Sequence, residues 1–255
     1  MKIVYAPKGP ASDYAKLAVN LFSGCRVGCR YCYAPRVLHT SRESFRDHTS
    51  PRRDCLVNLE ADLIRLHESG VPFPLFFSFA CDPYQDRKLM AQALLLCKAY
   101  KRPWTILTKL TIPAREHFPQ YDLNDSFGTT LTLLDPDRLA YWEPAAERPE
   151  DRIESLRIAH DYGIRTWVSL EPVLDPDETL AIISIAHRYV SHWWLGKLND
   201  HPNASNIDWP DYFRRATQLL NKLGAHYSIK RELTNAIGAR KQERTEDHET
   251  RKILL

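Results

Sequence analysis

Nowhere in the 255 residues do about 18 apolar residues run together, so no membrane-spanning helix is expected. The first twenty, MKIVYAPKGPASDYAKLAVN, lack the unbroken apolar core of a signal peptide, and the expectation is a soluble, cytoplasmic protein. Glycine is scarce, nine in all, which excludes a collagen-like repeat. No glycine-rich phosphate loop follows the first apolar run, which counts against a dinucleotide-binding sheet. Internal repeats are absent as well. Neither sign of charge dominates: 35 Lys+Arg against 32 Asp+Glu leave +3, so net charge says little about partners, although its distribution does.

At 44% hydrophobic and 26% charged, the composition is that of one globular domain or two small ones. A chain of this length buries most of its apolar surface without covalent staples, so its six cysteines are not needed as struts. In a reducing cytosol, clustered cysteines signal metal binding or catalysis more often than disulfides.

Short apolar runs alternate with amphipathic segments. Strands are predicted over 17–24, 74–80, 104–109, 127–134, 165–173 and 192–198, with 226–230 a candidate seventh. Helices are predicted over 54–70, 88–100, 149–163, 177–189 and 209–224. In the first of these, Leu56, Leu59, Leu63 and Leu66 share one side, Asp54 is the expected cap and Gly70 marks the end. The link holding Pro113 and Pro119 is too broken to predict as a helix. Strands separated by helices imply a parallel α/β sheet with right-handed crossovers, either open and doubly wound or a full or partial barrel. The expected domain is 1–239; the mixed-charge tail 240–255 lacks apolar spacing and reads as solvated.

The most specific feature is Cys25-Arg-Val-Gly-Cys29-Arg-Tyr31-Cys32-Tyr33, three cysteines spaced CxxxCxxC directly after the first predicted strand. Thiolates this close together suit zinc or an iron–sulfur cluster. Three ligands leave one iron of a four-iron cluster open for chemistry; a structural zinc needs a fourth donor, for which Cys55, His39 and His48 are the local candidates.

With this spacing, the aromatic Tyr31 before the third cysteine and the strand–helix run that follows, the sequence resembles the radical S-adenosylmethionine (SAM) superfamily. That resemblance implies a partial (β/α)6 TIM-type barrel with its site at the C-terminal ends of the strands. It implies a [4Fe-4S] cluster on Cys25, Cys29 and Cys32, with SAM on the open iron. Reductive cleavage of SAM then gives a 5′-deoxyadenosyl radical that abstracts hydrogen from a substrate. An electron donor such as a flavodoxin or ferredoxin is implied too.

Within the superfamily the sequence is most similar to the spore photoproduct lyase branch, whose enzymes reverse a thymine dimer in DNA. Tyr31 and Tyr33 flank the third cysteine, Cys81 follows the second strand in FSFACDPYQ, and the third strand ends Leu107-Thr108-Lys109. The resemblance implies that Cys81 returns a hydrogen atom to the product radical and that Tyr33 relays the radical onward. It places Tyr31, Lys109, Thr130 and Ser169 at the cofactor, the last three for the carboxylate and ribose of SAM. Many members hold the cofactor's amino group with a Gly-Gly-Glu stretch after the second strand; here the run is Ala80-Cys81-Asp82-Pro83, which leaves Ser78 or Asp82 to substitute. Free cysteine also suits a small core position, the simpler reading of Cys81 and the one adopted for Cys97.

From Arg26 to Asp54 there are seven arginines against Glu43, Asp47 and Asp54, a local charge of +4. Such a run either grips phosphates of a nucleic-acid substrate or is a solvated loop that balances a thiolate cluster. Trp167, Trp193 and Trp194 lie in strands, where aromatics are usually core, although a flipped base would stack on such rings. Glu171-Pro172 and Asp135-Pro136 put carboxylates on the expected rim, as ligands or as caps. Two alternatives stand beside the main reading: a radical enzyme acting on a small molecule or a protein, and a zinc-stabilised nucleic-acid-binding module without catalysis.

Overall fold

A computed structural model describes residues 2–199 and 201–238. The tail expected from 240 onward lies outside the described residues.

The chain opens with a two-residue strand, β1 (Val4–Tyr5), antiparallel to β2 (Leu17–Val19). The first predicted strand, 17–24, divides here. After β2 the chain turns away, and β3 (Phe22–Ser23) pairs with β4 (Ser50–Pro51) in a separate two-stranded sheet. Asn20 sits at the break. Its Oδ1 accepts the backbone N–H groups of Phe79 (3.0 Å) and Ala80 (2.9 Å), so a side chain satisfies donors that a continued ladder would have paired. Two short helices, α1 (Ala34–Val37) and α2 (Arg42–Asp47), fill the arginine-rich stretch, and α3 (Cys55–Glu68) follows.

From there the strand–helix alternation holds: β5 (Leu75–Phe77), α4 (Arg87–Ala99), β6 (Trp104–Thr108) and β7 (Ser126–Thr130). Next come α5 (Pro136–Trp142), α6 (Pro149–Asp161), β8 (Arg165–Leu170), α7 (Pro176–Ala186) and β9 (His192–Leu195). The described chain ends through α8 (Trp209–Lys222), β10 (Tyr227–Ile229) and α9 (Arg231–Ala236). The proline-bearing link is a run of 3-10 turns, Pro113–Gln120. Asp54 does not cap α3 with its side chain: it adopts a left-handed backbone, φ +53°, and its carboxylate faces Arg53 at 3.5 Å.

The main sheet runs β1-β2-β5-β6-β7-β8-β9-β10. Every pairing after β1 is parallel, so the six expected strands stand in sequential order, the candidate seventh is real, and β1 adds an edge unforeseen in the sequence. β1 and β10 do not pair, and the barrel stays partial.

Alternate side chains face opposite sides of such a sheet. Phe77, Ile106, Phe127, Val168, Trp193 and Leu195 pack outward under the helices, where Leu59, Leu63 and Cys97 join them. Inward, Ala18, Phe76, Trp167 and Trp194 gather with Tyr14 and Phe79 in a smaller aromatic cluster. Gly128 makes room for it, since a Cβ there would stand 2.3 Å from the Trp167 ring. Trp193 is therefore core, as expected, whereas Trp167 and Trp194 line the barrel interior.

Candidate active site

The cysteine loop leaves β3 at the C-terminal rim of the parallel sheet and is seated on three sides. Cys25 N–H donates to the Phe45 carbonyl of α2 (2.9 Å). The Gln85 side chain accepts from Arg26 N–H (2.6 Å) and donates to the Gly24 carbonyl (3.3 Å). The stretch after α5 closes the third side, where Arg30 N–H donates to the Trp142 carbonyl (2.9 Å) and Ala145 N–H to that of Val27 (3.3 Å). Gly24 has φ +83°, and a Cβ there would stand 2.5 Å from the Phe45 carbonyl oxygen, so the close approach requires glycine.

Cys25, Cys29 and Cys32 are all free thiols. Burial pushes each up: Cys29 to about 12, with Cys25 and Cys32 also raised. Without metal they are protonated at neutral pH, and a metal must displace those protons to bind. The Lys109 ammonium opposes that burial at Cys29 and Cys32, favouring the thiolates. Among the described residues no three His, Cys, Asp or Glu side chains converge on a point that would hold a single metal ion. A zinc site needs its thiolates about 2.3 Å from one centre; thiols that each take a different iron of a cluster stand further apart. Three soft donors on one seated loop, with a cation beside them, fit an iron–sulfur cluster.

Beside the loop lies a buried polar network that connects its parts. Tyr31 donates its hydroxyl to Glu143, which also accepts from Thr132 Oγ1 (3.0 Å) and pairs with Arg152 (2.6 Å). Both charged side chains of that pair are 0% exposed. Arg152 continues to the carbonyls of Thr130 and Glu147, each at 2.9 Å. Lys109 Nζ stands 5.6 Å from the Tyr31 ring centroid. Burial disfavours the Lys109 charge, but Cys29 and Glu143 outweigh it and raise the lysine above its ordinary value.

The other sequence candidates have these places. Asp82 is committed to positioning: its carboxylate accepts from Tyr84 N–H (3.0 Å), Thr108 Oγ1 (2.7 Å) and Lys109 N–H (2.8 Å), which fixes the backbone from which Lys109 projects. Ser78 donates to the Cys81 carbonyl (2.6 Å) and stands 2.9 Å from the Cys81 sulfur. Cys81 is 8% exposed, and burial pushes its thiol up to about 11. Tyr33 donates to the Phe79 carbonyl (3.0 Å) and is 47% exposed. Thr130 is buried at the end of β7.

Ser169, on β8, stands in register with Thr130 on β7, its Oγ 2.8 Å from the Tyr14 hydroxyl. Tyr14 also donates to Glu171 (3.1 Å), whose carboxylate takes Lys230 and the Asn199 amide (3.1 Å). Glu171 is thus a paired interior carboxylate, while Asp135 is a helix cap that accepts from Asp137 and Arg138 N–H.

The structure therefore gathers Tyr31, Lys109 and Cys29 around Glu143, and sets Ser169 beside Thr130 on the neighbouring strand, where it meets Tyr14. Sequence reading missed Tyr14, Glu143, Arg152 and Lys230. Lys230 alone carried a signal, since it directly follows a candidate strand and so falls on the rim.

The model of the radical SAM superfamily matches residues 19–188. Among solved structures, spore photoproduct lyase is similar in a cysteine-to-serine variant, with 12% identity, TM-score 0.70, 90% of this chain and 79% of the other covered. A lyase variant crystallised with bound AdoMet and dinucleoside spore photoproduct gives 12%, 0.69, 89% and 78%. SuiB of Streptococcus suis bound to SAM gives 13%, 0.62, 86% and 51%, so the chain spans about half the length of that protein. At these identities the likeness is one of fold. No curated protein matches the sequence.

Proposed function

Because the chain belongs to the radical SAM superfamily, we propose that it is an enzyme that cleaves SAM reductively and abstracts hydrogen from a nucleic-acid or other phosphate-bearing substrate. The observation that carries this reading is the seated loop of three free thiols at the C-terminal rim, with Lys109 and the Tyr31–Glu143–Arg152 network beside it. When bound, the family's cofactors supply the chemistry, a [4Fe-4S] cluster giving the electron and SAM the 5′-deoxyadenosyl group.

In this reading Cys25, Cys29 and Cys32 hold the cluster. Lys109, raised and so protonated at neutral pH, faces the carboxylate of SAM, with Thr130 and Ser169 toward the ribose and Ser78 or Asp82 toward the amino group. The hydrogen bonds already made by Ser78 and Asp82 favour indirect roles for both, through Cys81 and Lys109. The aromatic interior around Trp167 and Trp194 excludes water from the centre of the barrel. Among the described residues no helix is long and apolar enough to cross a membrane.

The similarity to spore photoproduct lyase supports a finer reading, in which the Cys81 thiol gives its hydrogen atom to the product radical, the Tyr33 O–H restores the thiol, and the radical left on Tyr33 is passed back toward the cofactor. Cys81 is 8% exposed and its sulfur stands 2.9 Å from Ser78 Oγ, so this role requires the product radical to reach a buried thiol, whereas a packing role requires nothing further. Cys81→Ala is expected to leave 5′-deoxyadenosine formation within about twofold of wild type while normal product falls to background and side products accumulate. Unchanged product yield, measured by mass spectrometry, removes the hydrogen-donor role.

The experiment that tests the proposal is low-temperature electron paramagnetic resonance of anaerobically reconstituted, reduced protein with and without SAM. A four-iron signal that changes on adding SAM, together with release of 5′-deoxyadenosine, is the expected result. A cluster indifferent to SAM, or zinc in place of iron, overturns it.

A further inference from the structure

We propose that Arg30, Tyr141, Trp142 and His201 form a stacking ledge for an unpaired base of a nucleic-acid strand, beside the cysteine loop. The inference rests on the nucleic-acid reading above and names the surface that would receive the strand.

Three separate parts of the rim converge to build the ledge. Arg30 comes from the cysteine loop, Tyr141 and Trp142 from the end of α5, and His201 from the segment after β9. The Arg30 guanidinium lies 4.2 Å from the Tyr141 ring centroid and donates to the Tyr141 carbonyl (2.7 Å). Tyr141 meets Trp142 edge to face, centroids 5.4 Å apart at 90°. Trp142 meets His201 at 5.0 Å and 67°. On its inner side Trp142 approaches Tyr31, the residue between two of the proposed cluster ligands, at 6.4 Å. The ledge is thus continuous with the site where chemistry is proposed.

Its composition favours one class of occupant. Tyr141 is 55% exposed, a large ring left at the surface with a cation laid on it. A flat guanidinium over a phenol extends the aromatic plane and keeps its N–H donors available to phosphate oxygens. Rings and arginine together supply the two elements that strands without base pairing require, π faces for bases and positive charge for the backbone. The surrounding loop carries the local +4; Glu143, next to Trp142, is paired with Arg152, and Asp137 lies one turn before Tyr141 on α5.

Binding of a fluorescently labelled single-stranded oligonucleotide to the anaerobically reconstituted full chain tests the proposal by anisotropy. Tyr141→Ala should weaken binding roughly tenfold with the salt dependence unchanged, as loss of one stacked base does. Tyr141→Phe should bind as wild type, which separates the ring from the hydroxyl. Arg30→Ala should both weaken binding and lower the slope of log affinity against log salt by about one. The thermal unfolding midpoint of Tyr141→Ala, read by circular dichroism, should stay close to that of wild type, a control for folding. If wild type binds and Tyr141→Ala binds equally well, the ledge is wrong and the nucleic-acid reading stands. If wild type cleaves SAM yet binds no oligonucleotide, both the nucleic-acid reading and the ledge fall while the radical SAM assignment survives.

Discussion

Replacing any one of Cys25, Cys29 or Cys32 with alanine is expected to reduce 5′-deoxyadenosine formation to background, the largest functional effect of any single change in this chain. The seat explains why the loop cannot compensate. Its backbone is tied to α2, to Gln85 and to the stretch after α5, so a neighbouring donor cannot swing into the empty position. Cys81 and Cys97 are buried in the core, and Cys55 opens α3 as a packed residue. Iron and sulfide content should fall with activity, and the brown colour of the reconstituted protein should be lost. Cys97→Ala, in the outer core, serves as the contrast: it should cost stability and leave iron content at the wild-type level. Full iron occupancy in the loop variants, measured after anaerobic desalting, would contradict the ligand assignment.

Glu143→Ala is expected to be the most destabilising substitution near the site. Glu143 and Arg152 are both fully buried and paired at 2.6 Å, and removal of the carboxylate leaves a guanidinium without a counter-charge. Breaking a buried pair in this way costs about 3–5 kcal/mol. For a domain of this size that lowers Tm by roughly 6–20 °C, read by differential scanning calorimetry. Replacing both residues with methionine should cost less, because the guanidinium is not stranded, while the Lys109 ammonium still loses a carboxylate neighbour. That double variant separates stability from function: it should fold, yet incorporate iron poorly, since Tyr31 loses the acceptor that anchors it to β7 and α6. Normal iron loading in the double variant would show that the network serves the fold alone.

The same carboxyl has a pH signature. Burial works to raise it, but Arg152, Lys109 and the Tyr31 hydroxyl together hold it below the ordinary value of 4.5. A folded value below the unfolded one contributes stability that is fully present above about pH 4.5 and is lost as pH falls through the folded value. The stability difference between wild type and Glu143→Gln should therefore be constant at neutral pH and shrink on acidification below that point. Asp82 and Glu171 act with the opposite sign, since burial raises both, so only the difference between variants isolates Glu143.

Periodicity made the parallel strands legible, because buried strands read as short apolar runs and the helices between them as amphipathic ones. It failed where pairing is settled by a side chain. Asn20 captures two backbone donors and sends Phe22 and Ser23 into another sheet, a tertiary event with no trace in the spacing of apolar residues. The two-residue β1 was invisible for a related reason: its place depends on Val19 being available to pair with Val4.

At the site the division is sharper. By itself the sequence determined the three cysteines, the aromatic residues beside them, and the strand ends where Lys109, Thr130 and Ser169 fall, because these are local facts of spacing and period. Only the tertiary structure decided what faces them. Glu143 and Arg152 are unremarkable in the sequence, one at the end of a short helix and one on the next, and they become a pair only when α6 packs on β7 and brings Arg152 to the end of α5. Tyr14, from the link between β1 and β2, and Lys230, directly after β10, are over 200 residues apart and meet at Glu171 because that link and the end of β10 both reach the end of β8. A charge can be buried only where its partner is fixed to receive it, and which partner that is depends on chain crossovers rather than on neighbours in sequence.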